Sequence, residues 1–247
     1  MAEYAKTGVA ILDKALEGGL PRGGTVLICG TPGTGIDLFA KQFAAAASEG
    51  ENVVYFATSE RDEDVMDTMK RLGTKVEPRI VNIGSLYYES VLAKKLEVSK
   101  YRLEGLKMRD IMRSDGAASI TDERVNFLTM LTYEVSKLQP PYRLVLDSLD
   151  FFLEYYDHAG VLSALRTTRA HSQHTKSLAL VTMLQGVYDS RTESGIEEVV
   201  DIVLEIERLR SGMDFSRNLI IRKVRNHPEM AGIIPVKITH KGFVPSD

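Results

Sequence analysis

An α/β fold, with a mostly parallel twisted sheet flanked by helices and finished by antiparallel C-terminal strands, is what this 247-residue sequence predicts. Three observations carry the prediction. Short continuous apolar runs of β type alternate with stretches of helical periodicity, the pattern of strand–helix–strand crossovers. The first such run opens directly into a glycine-rich loop and then a helix. After about residue 200 the helical stretches stop, and strand-like runs follow one another with close turn signals.

TVLICG (25–30) is the first run, NVVYFAT (52–58) the second, RIVNIG (79–84) the third, RLVLDS (143–148) the fourth and SLALVTML (177–184) the fifth. Between them, Leu38, Phe39, Gln42, Phe43 and Ala46 recur at helical spacing, as do Val65, Met69 and Leu72. Pro140 and Pro141 break the chain before the fourth strand, as a helix stop should. VVDIVLEIERL, RNLIIRKVRN and GIIPVKITHKGF then predict antiparallel strands added to one edge. Residues 85–113 are longer than a minimal crossover needs. They read as a helical insert with Leu92, Leu96, Leu103 and Leu106 in register, and from 94 to 113 seven basic residues face three acidic ones. The expectation is one domain over 1–247 carrying this locally basic insert.

Bulk composition is that of a globular chain with a sizeable core: 44% hydrophobic, 26% charged, net charge −3. No apolar run approaches the roughly 18 residues that span a bilayer, and MAEYAKTG is no secretory signal. Cys29 has no partner for a disulfide and reads as a small core residue. A cytoplasmic protein without membrane contact is expected.

The loop GTPGTGID stands where a phosphate-binding G-x-x-x-x-G-K-[ST] loop would be, between strand and helix. Gly30 and Gly35 hold the two glycine positions and Gly33 lies between them. Residues Thr31, Pro32, Gly33, Thr34, Gly35, Ile36 and Asp37 are the candidate nucleotide-binding set. Two positions depart from the pattern. Ile36 replaces the lysine that reaches the β- and γ-phosphates, and Asp37 replaces the hydroxyl that meets Mg²⁺. Two unit charges about 4–5 Å apart interact by roughly 3–4 kcal/mol at an effective dielectric near 20. Losing that attraction weakens phosphate binding by about two to three decades, and the carboxylate adds repulsion. Asp37 has two readings: an internal anion satisfying free amides of the first helical turn, or a direct metal ligand. Lys41, four residues on, can pair with Asp37 and reads as a solvated helix residue before it reads as a relocated phosphate lysine.

TGVAILDKALEGGLPRGGTVLICGTPGTG resembles the opening of KaiC-like ATPases of the RecA/RadA superfamily. Thr7, Gly8, Leu12, Asp13, Leu16, Gly18, Gly19, Leu20, Pro21 and Gly23 match its T-G-x-x-x-L-D-x-x-L-x-G-G-[LI]-P-x-G stretch. The likeness continues to the C-terminus and is weakest between 84 and 140. It implies a RecA-like core, ATP and Mg²⁺ as ligands where nucleotide binding survives and none otherwise, and a homo-oligomeric, typically hexameric, ring. By the same resemblance Glu60 matches the second carboxylate of a catalytic Glu pair whose first member is replaced by Ser59. Asp147, with Ser148 beside it, matches the indirect Mg²⁺ partner. Lys223 and Arg225 match a K-x-R pair that reaches a neighbouring subunit's γ-phosphate, with salt bridges as the structural alternative. One domain is found where the circadian member has two, so a clock role is not implied.

Other chemistries are weakly signalled. The histidines at 158, 171, 174, 227 and 240 form no metal pattern. The basic stretch 94–113, with Tyr101, reads as a solvated face or subunit contact before it reads as a nucleic-acid surface. Segment 185–198, taken as a loop, carries one arginine and four acidic residues, which disfavours DNA. Three functions follow in order. The first is a regulatory or assembly module with weak or absent ATP binding and hydrolysis, partnered by an active paralogue. The second is a working ATPase with an altered loop, and the third is single-strand DNA binding of the recombinase-paralogue kind.

Overall fold

The chain begins by bonding to itself over the residues of its opening motif. In the computed structural model, which describes residues 4–103, 125–212 and 214–246, Asp13 is buried and accepts hydrogen bonds from the backbone N–H of Thr7 (2.7 Å) and its hydroxyl (2.8 Å). Thr7 and Asp13 thereby fix the short helix α1 (Ala10–Ala15) between two paired strands, β1 (Tyr4–Ala5) and β2 (Leu20–Pro21). Gly19 is required by the close pass of these strands: its φ is 124°, and a Cβ there would lie 2.3 Å from the carbonyl oxygen of Ala5. The opening motif thus builds a small two-stranded unit around α1.

Strand β3 (Thr25–Gly30) is buried at every position, as a strand covered on both faces must be. It lies at the centre of a nine-stranded sheet with β4 (Asn52–Ala57), β5 (Arg79–Asn82), β6 (Tyr142–Asp147), β7 (Leu178–Leu184), β8 (Ile202–Ser211), β9 (Asp214–Val224), β10 (Gly232–Thr239) and β11 (Gly242–Pro245). Their order is β11-β10-β9-β8-β3-β7-β6-β4-β5. The six strands from β8 to β5 pair in parallel, and β9, β10 and β11 continue antiparallel. One sequence expectation is corrected here. The run 202–211 is not the first of the antiparallel strands: it pairs parallel to β3 and turns antiparallel only to β9.

The helices fall on two faces. Helix α2 (Ile36–Ala45) packs Phe39, Ala40, Phe43 and Ala44 with Val26, Ile28, Val53 and Tyr55 on one face. Helix α3 (Asp62–Arg71) contributes Val65 and Met69 to the same cluster. The other face buries Leu27, Cys29, Phe56, Leu144 and Val181 under α6 (Phe127–Ser136) and α8 (His158–Thr175). Cys29 is deep in that layer, and burial pushes its thiol up to about 12.

The predicted third strand stops at Asn82, whose side chain accepts from the N–H of Ser85 and starts α4 (Ile83–Tyr87). A π turn (Tyr88–Leu92) and α5 (Ala93–Leu103) follow. The predicted insert is therefore helical from 83 to 103, while residues 104–113 of it lie outside the described residues. Short α7 (Asp150–Tyr155) follows β6. Segment 185–198 is a loop only as far as Asp189, and its remainder is corrected to helix: α9 (Ser190–Val199) begins where Asp189 accepts from the N–H of Thr192. His171 and His174 lie on α8, the first stacked on Tyr142 and the second exposed.

Candidate nucleotide site and its internal ion cluster

Strands β3, β4, β6 and β7 end side by side, so Gly30, Ala57, Asp147 and Leu184 share one edge of the sheet. This is the crevice outside the carboxyl ends of the strands where open α/β sheets bind ligands. The loop Thr31, Pro32, Gly33, Thr34, Gly35 leaves β3 there. Its turn is closed by Thr34, whose N–H and hydroxyl both donate to the carbonyl of Thr31, at 3.2 and 2.8 Å. Gly35 has φ 100° and serves as the N-cap of α2; a Cβ on it would come within 2.8 Å of the Ile238 side chain on β10.

Ile36 faces the core and is buried. Asp37 is exposed at its carboxylate (59%), and no hydrogen bond joins that carboxylate to an amide of the loop. The reading of Asp37 as an internal anion for its own first turn is thus corrected. Its neighbour is Lys41 Nζ at 3.8 Å, the i,i+4 partner.

Lys41 is the larger correction. It is not solvated: its side chain is 3% exposed. Its Nζ lies 2.6 Å from Glu60 Oε1, 3.8 Å from Asp37 Oδ2 and 3.9 Å from Asp147 Oδ2, and it donates to the Asp37 carbonyl at 3.4 Å. The physical reason is the helix around it. IDLFAKQFAAAA is apolar on nearly every face, and a helix apolar all round is a buried one. A lysine in it keeps its charge only by meeting carboxylates.

Asp147 is equally committed. Tyr55 donates its hydroxyl to Oδ2 at 2.5 Å and Thr182 donates to Oδ1 at 2.8 Å. Burial raises the Tyr55 phenol well above its ordinary value, and the charges of Asp147, Glu60 and Asp37 push the same way. Tyr55 is therefore a donor to Asp147 across the whole working pH range. Ser59 is exposed, and Ser148 donates its N–H to the hydroxyl of Thr58. The residues that would hold Mg²⁺ do not fit it. Mg²⁺ demands oxygen ligands at about 2.0–2.1 Å in an octahedron, and the point on which Asp37, Glu60 and Asp147 converge is taken by an ammonium.

Lys223 and Arg225 bond within their own chain. Lys223 Nζ donates to the carbonyls of Glu197 (2.6 Å), Glu198 (3.3 Å) and Val200 (2.8 Å). Arg225 donates to Asp201 Oδ1 (2.8 Å) and to the carbonyls of Glu198 and Val200. Both cations close the C-terminal end of α9, where free carbonyls and the negative end of the helix favour them. Burial, with the neighbouring Arg225 charge next, holds the Lys223 ammonium below its ordinary value. Replacing both by alanine is expected to lower stability by about 1–3 kcal/mol, from charge-assisted bonds of that order. Chemical unfolding measures it; an unchanged midpoint would show that these bonds add no net stability.

Sequence reasoning missed two further cations. Arg208 on β8 and Arg217 on β9 are cross-strand partners. Arg208 donates to the Gly33 carbonyl at 3.4 Å, and Arg217 to the Thr34 carbonyl at 3.2 Å. By period two they continue the face of buried Ile206 and Leu219 toward the strand ends, with nothing in the sequence to say that the loop lies above them.

The sequence model of the KaiC ATPases matches residues 5–244. The chain belongs to the KaiC ATPase family. Its relatives include the circadian clock oscillator protein KaiC of Parathermosynechococcus lividus, 27% identical over 243 residues, covering 96% of this chain but 41% of that protein. The chain thus spans less than half the length of that relative. A UPF0273 protein of Pyrococcus horikoshii is 24% identical over 250 residues, covering 99% of this chain and 94% of that one. Among solved structures, a KaiC-like protein of the same archaeon shares the fold, with a TM-score of 0.62 at 21% identity over the full length of both chains. Among the described residues no helix is long and apolar enough to cross a membrane.

Proposed function

We propose that this KaiC-family chain does not turn over ATP and acts as a regulatory or assembly module, in a homo-oligomeric ring or beside an active paralogue. The observation that carries the reading is the 2.6 Å contact between buried Lys41 and Glu60. Glu60 is the carboxylate the family resemblance assigns as general base, and a base must be free to take a proton. Here it is held as the nearest partner of a buried cation, and protonating it would strip Lys41 of its one contact under 3 Å, leaving only the carboxylates of Asp37 and Asp147 at 3.8 and 3.9 Å. Ile36 in place of the phosphate lysine acts in the same direction.

The test is phosphate release from purified protein with ATP and Mg²⁺. No release above the protein-free control is expected. Reproducible release above that control would overturn the reading.

Arg208 and Arg217 favour a second reading at the same site, nucleotide binding without hydrolysis. Two guanidiniums beside a helix N-terminus suit a polyphosphate. Equilibrium titration with a fluorescent ATP analogue separates the two, since a pure scaffold leaves the signal unchanged.

A further inference from the structure

Lys41 has no counterpart in the phosphate-loop pattern, and its surroundings define what it does. Three carboxylates from three elements meet within 4 Å of its Nζ: Asp37 from the first turn of α2, Glu60 from beyond β4, and Asp147 from the end of β6. Such a convergence is what a hard divalent cation selects. The ammonium is a compact point charge on a flexible stem, and it reaches this spot from one turn further along the same helix as the loop. Its side chain is almost wholly buried, so it is not a surface residue that swings away. The remaining capacity of Asp147 is engaged as well, since each of its oxygens accepts from a hydroxyl, Tyr55 on one and Thr182 on the other.

We propose that Lys41 is a built-in countercation standing in the divalent-metal position of this site, and that the chain excludes Mg²⁺ and Mn²⁺ from it. The proposal deepens the reading above, and rests on it in taking this crevice as the nucleotide site. It names the reason the site is closed: a tethered monovalent charge replaces an exchangeable divalent one. Any phosphate ligand that reaches the crevice then does so free of metal. A lysine-free version of the same pocket presents Asp37, Glu60 and Asp147 to solvent cations.

The experiment uses Mn²⁺ alone as probe, without nucleotide, followed by the loss of the free-ion paramagnetic resonance signal. Three proteins are compared: wild type, Lys41→Gln, and Lys41→Gln combined with Glu60→Gln. Wild type is expected to leave the Mn²⁺ signal unchanged to millimolar concentration. Lys41→Gln, with its fold checked by circular dichroism, is expected to bind one Mn²⁺ at least 100-fold more tightly, and the double variant to lose that gain. A folded Lys41→Gln that binds no better than wild type overturns the proposal.

Where Lys41→Gln fails to fold, wild type decides alone. Binding of Mn²⁺ that Asp147→Asn removes overturns the proposal, and no binding upholds it. Outcomes for the two readings differ. Wild type that hydrolyses ATP yet sequesters no Mn²⁺ defeats the non-hydrolysing function only, whereas wild type that binds Mn²⁺ without turnover defeats only the metal replacement.

Discussion

Replacing Arg143 by alanine is expected to lower stability by about 3–5 kcal/mol, the cost of leaving a buried ion-pair partner alone. Arg143 sits on β6 and is fully buried; its guanidinium donates to Glu51 Oε2 (3.1 Å) and to the carbonyls of Lys6 (2.7 Å) and Phe43 (2.9 Å). One side chain thus joins the segment just after β1, the last turn of the first long helix and the turn before β4. Truncation removes all three bonds at once. Arg22 remains on Glu51 at 2.8 Å, which puts the loss toward the lower end of that range. Against a total of roughly 5–15 kcal/mol for a folded domain, this is the largest single effect expected outside the apolar core. Lysine should not rescue, because one ammonium cannot reproduce a planar fork serving three acceptors.

Urea unfolding measures the effect, and its pH dependence adds a check. Burial pushes Glu51 up, but Arg143, the Ser48 amide and Arg22 together outweigh it and hold the carboxyl below its ordinary 4.5. A group lowered in the folded state adds stability above its unfolded value, and that stability is lost as pH falls through the folded one. Wild type should therefore weaken steadily below about pH 4.5, and Arg143→Ala should show a shallower acid limb. A variant within 1 kcal/mol of wild type would show that the buried cluster contributes little.

Restoring the loop is expected to have the largest functional effect. The pair Ile36→Lys with Asp37→Thr brings back the phosphate cation and removes the opposing carboxylate. The roughly 3–4 kcal/mol of charge attraction at an effective dielectric of 20 converts to about two to three decades in ATP affinity. Calorimetric titration of ATP reads the gain directly. With Lys41 still in place, the gain should be the same in Mg²⁺ as in chelator. A stability loss of about 1–2 kcal/mol should accompany it, because Ile36 is a core residue and its apolar burial is forfeited. No gain in affinity would mean that loop shape, fixed by Thr34 on Thr31, limits binding more than charge.

Much of this was legible because the strands are so apolar. TVLICG, NVVYFAT and RLVLDS had only one way to be buried on both faces, and their shared direction placed Glu60 and Asp147 at one edge. Strand direction beyond residue 200 was not legible: period-two alternation in VVDIVLEIERL is the same for a parallel or an antiparallel neighbour. Asp189 ahead of Ser190 was an N-cap signal that the loop reading of 185–198, taken from the place of a DNA-contacting loop in recombinase relatives, passed over. Lys41 was misjudged because its charge was weighed without its helix. The signal was there in its neighbours, since no other charged residue follows Asp37 until Glu49. Arg208 and Arg217 carried no such signal, because their contacts with Gly33 and Thr34 span 175 and 183 residues.

Gln42, one position beyond that lysine, ties the candidate site to the order in which the chain is made. Its side chain is bonded to Gly8 through the carbonyl (2.7 Å) and to Phe243 through both backbone groups, at 3.1 and 2.7 Å, across 201 residues. At roughly 5–20 residues per second of synthesis, about 10–40 seconds separate the emergence of the two partners. The helix that presents Asp37 and Lys41 therefore leaves the ribosome long before its last hydrogen bonds can form. Until β11 arrives, the Gln42 amide and the Gly35 turn have no lid of Phe243 over them. The helix that presents the site is thus made 201 residues ahead of the strand that closes it.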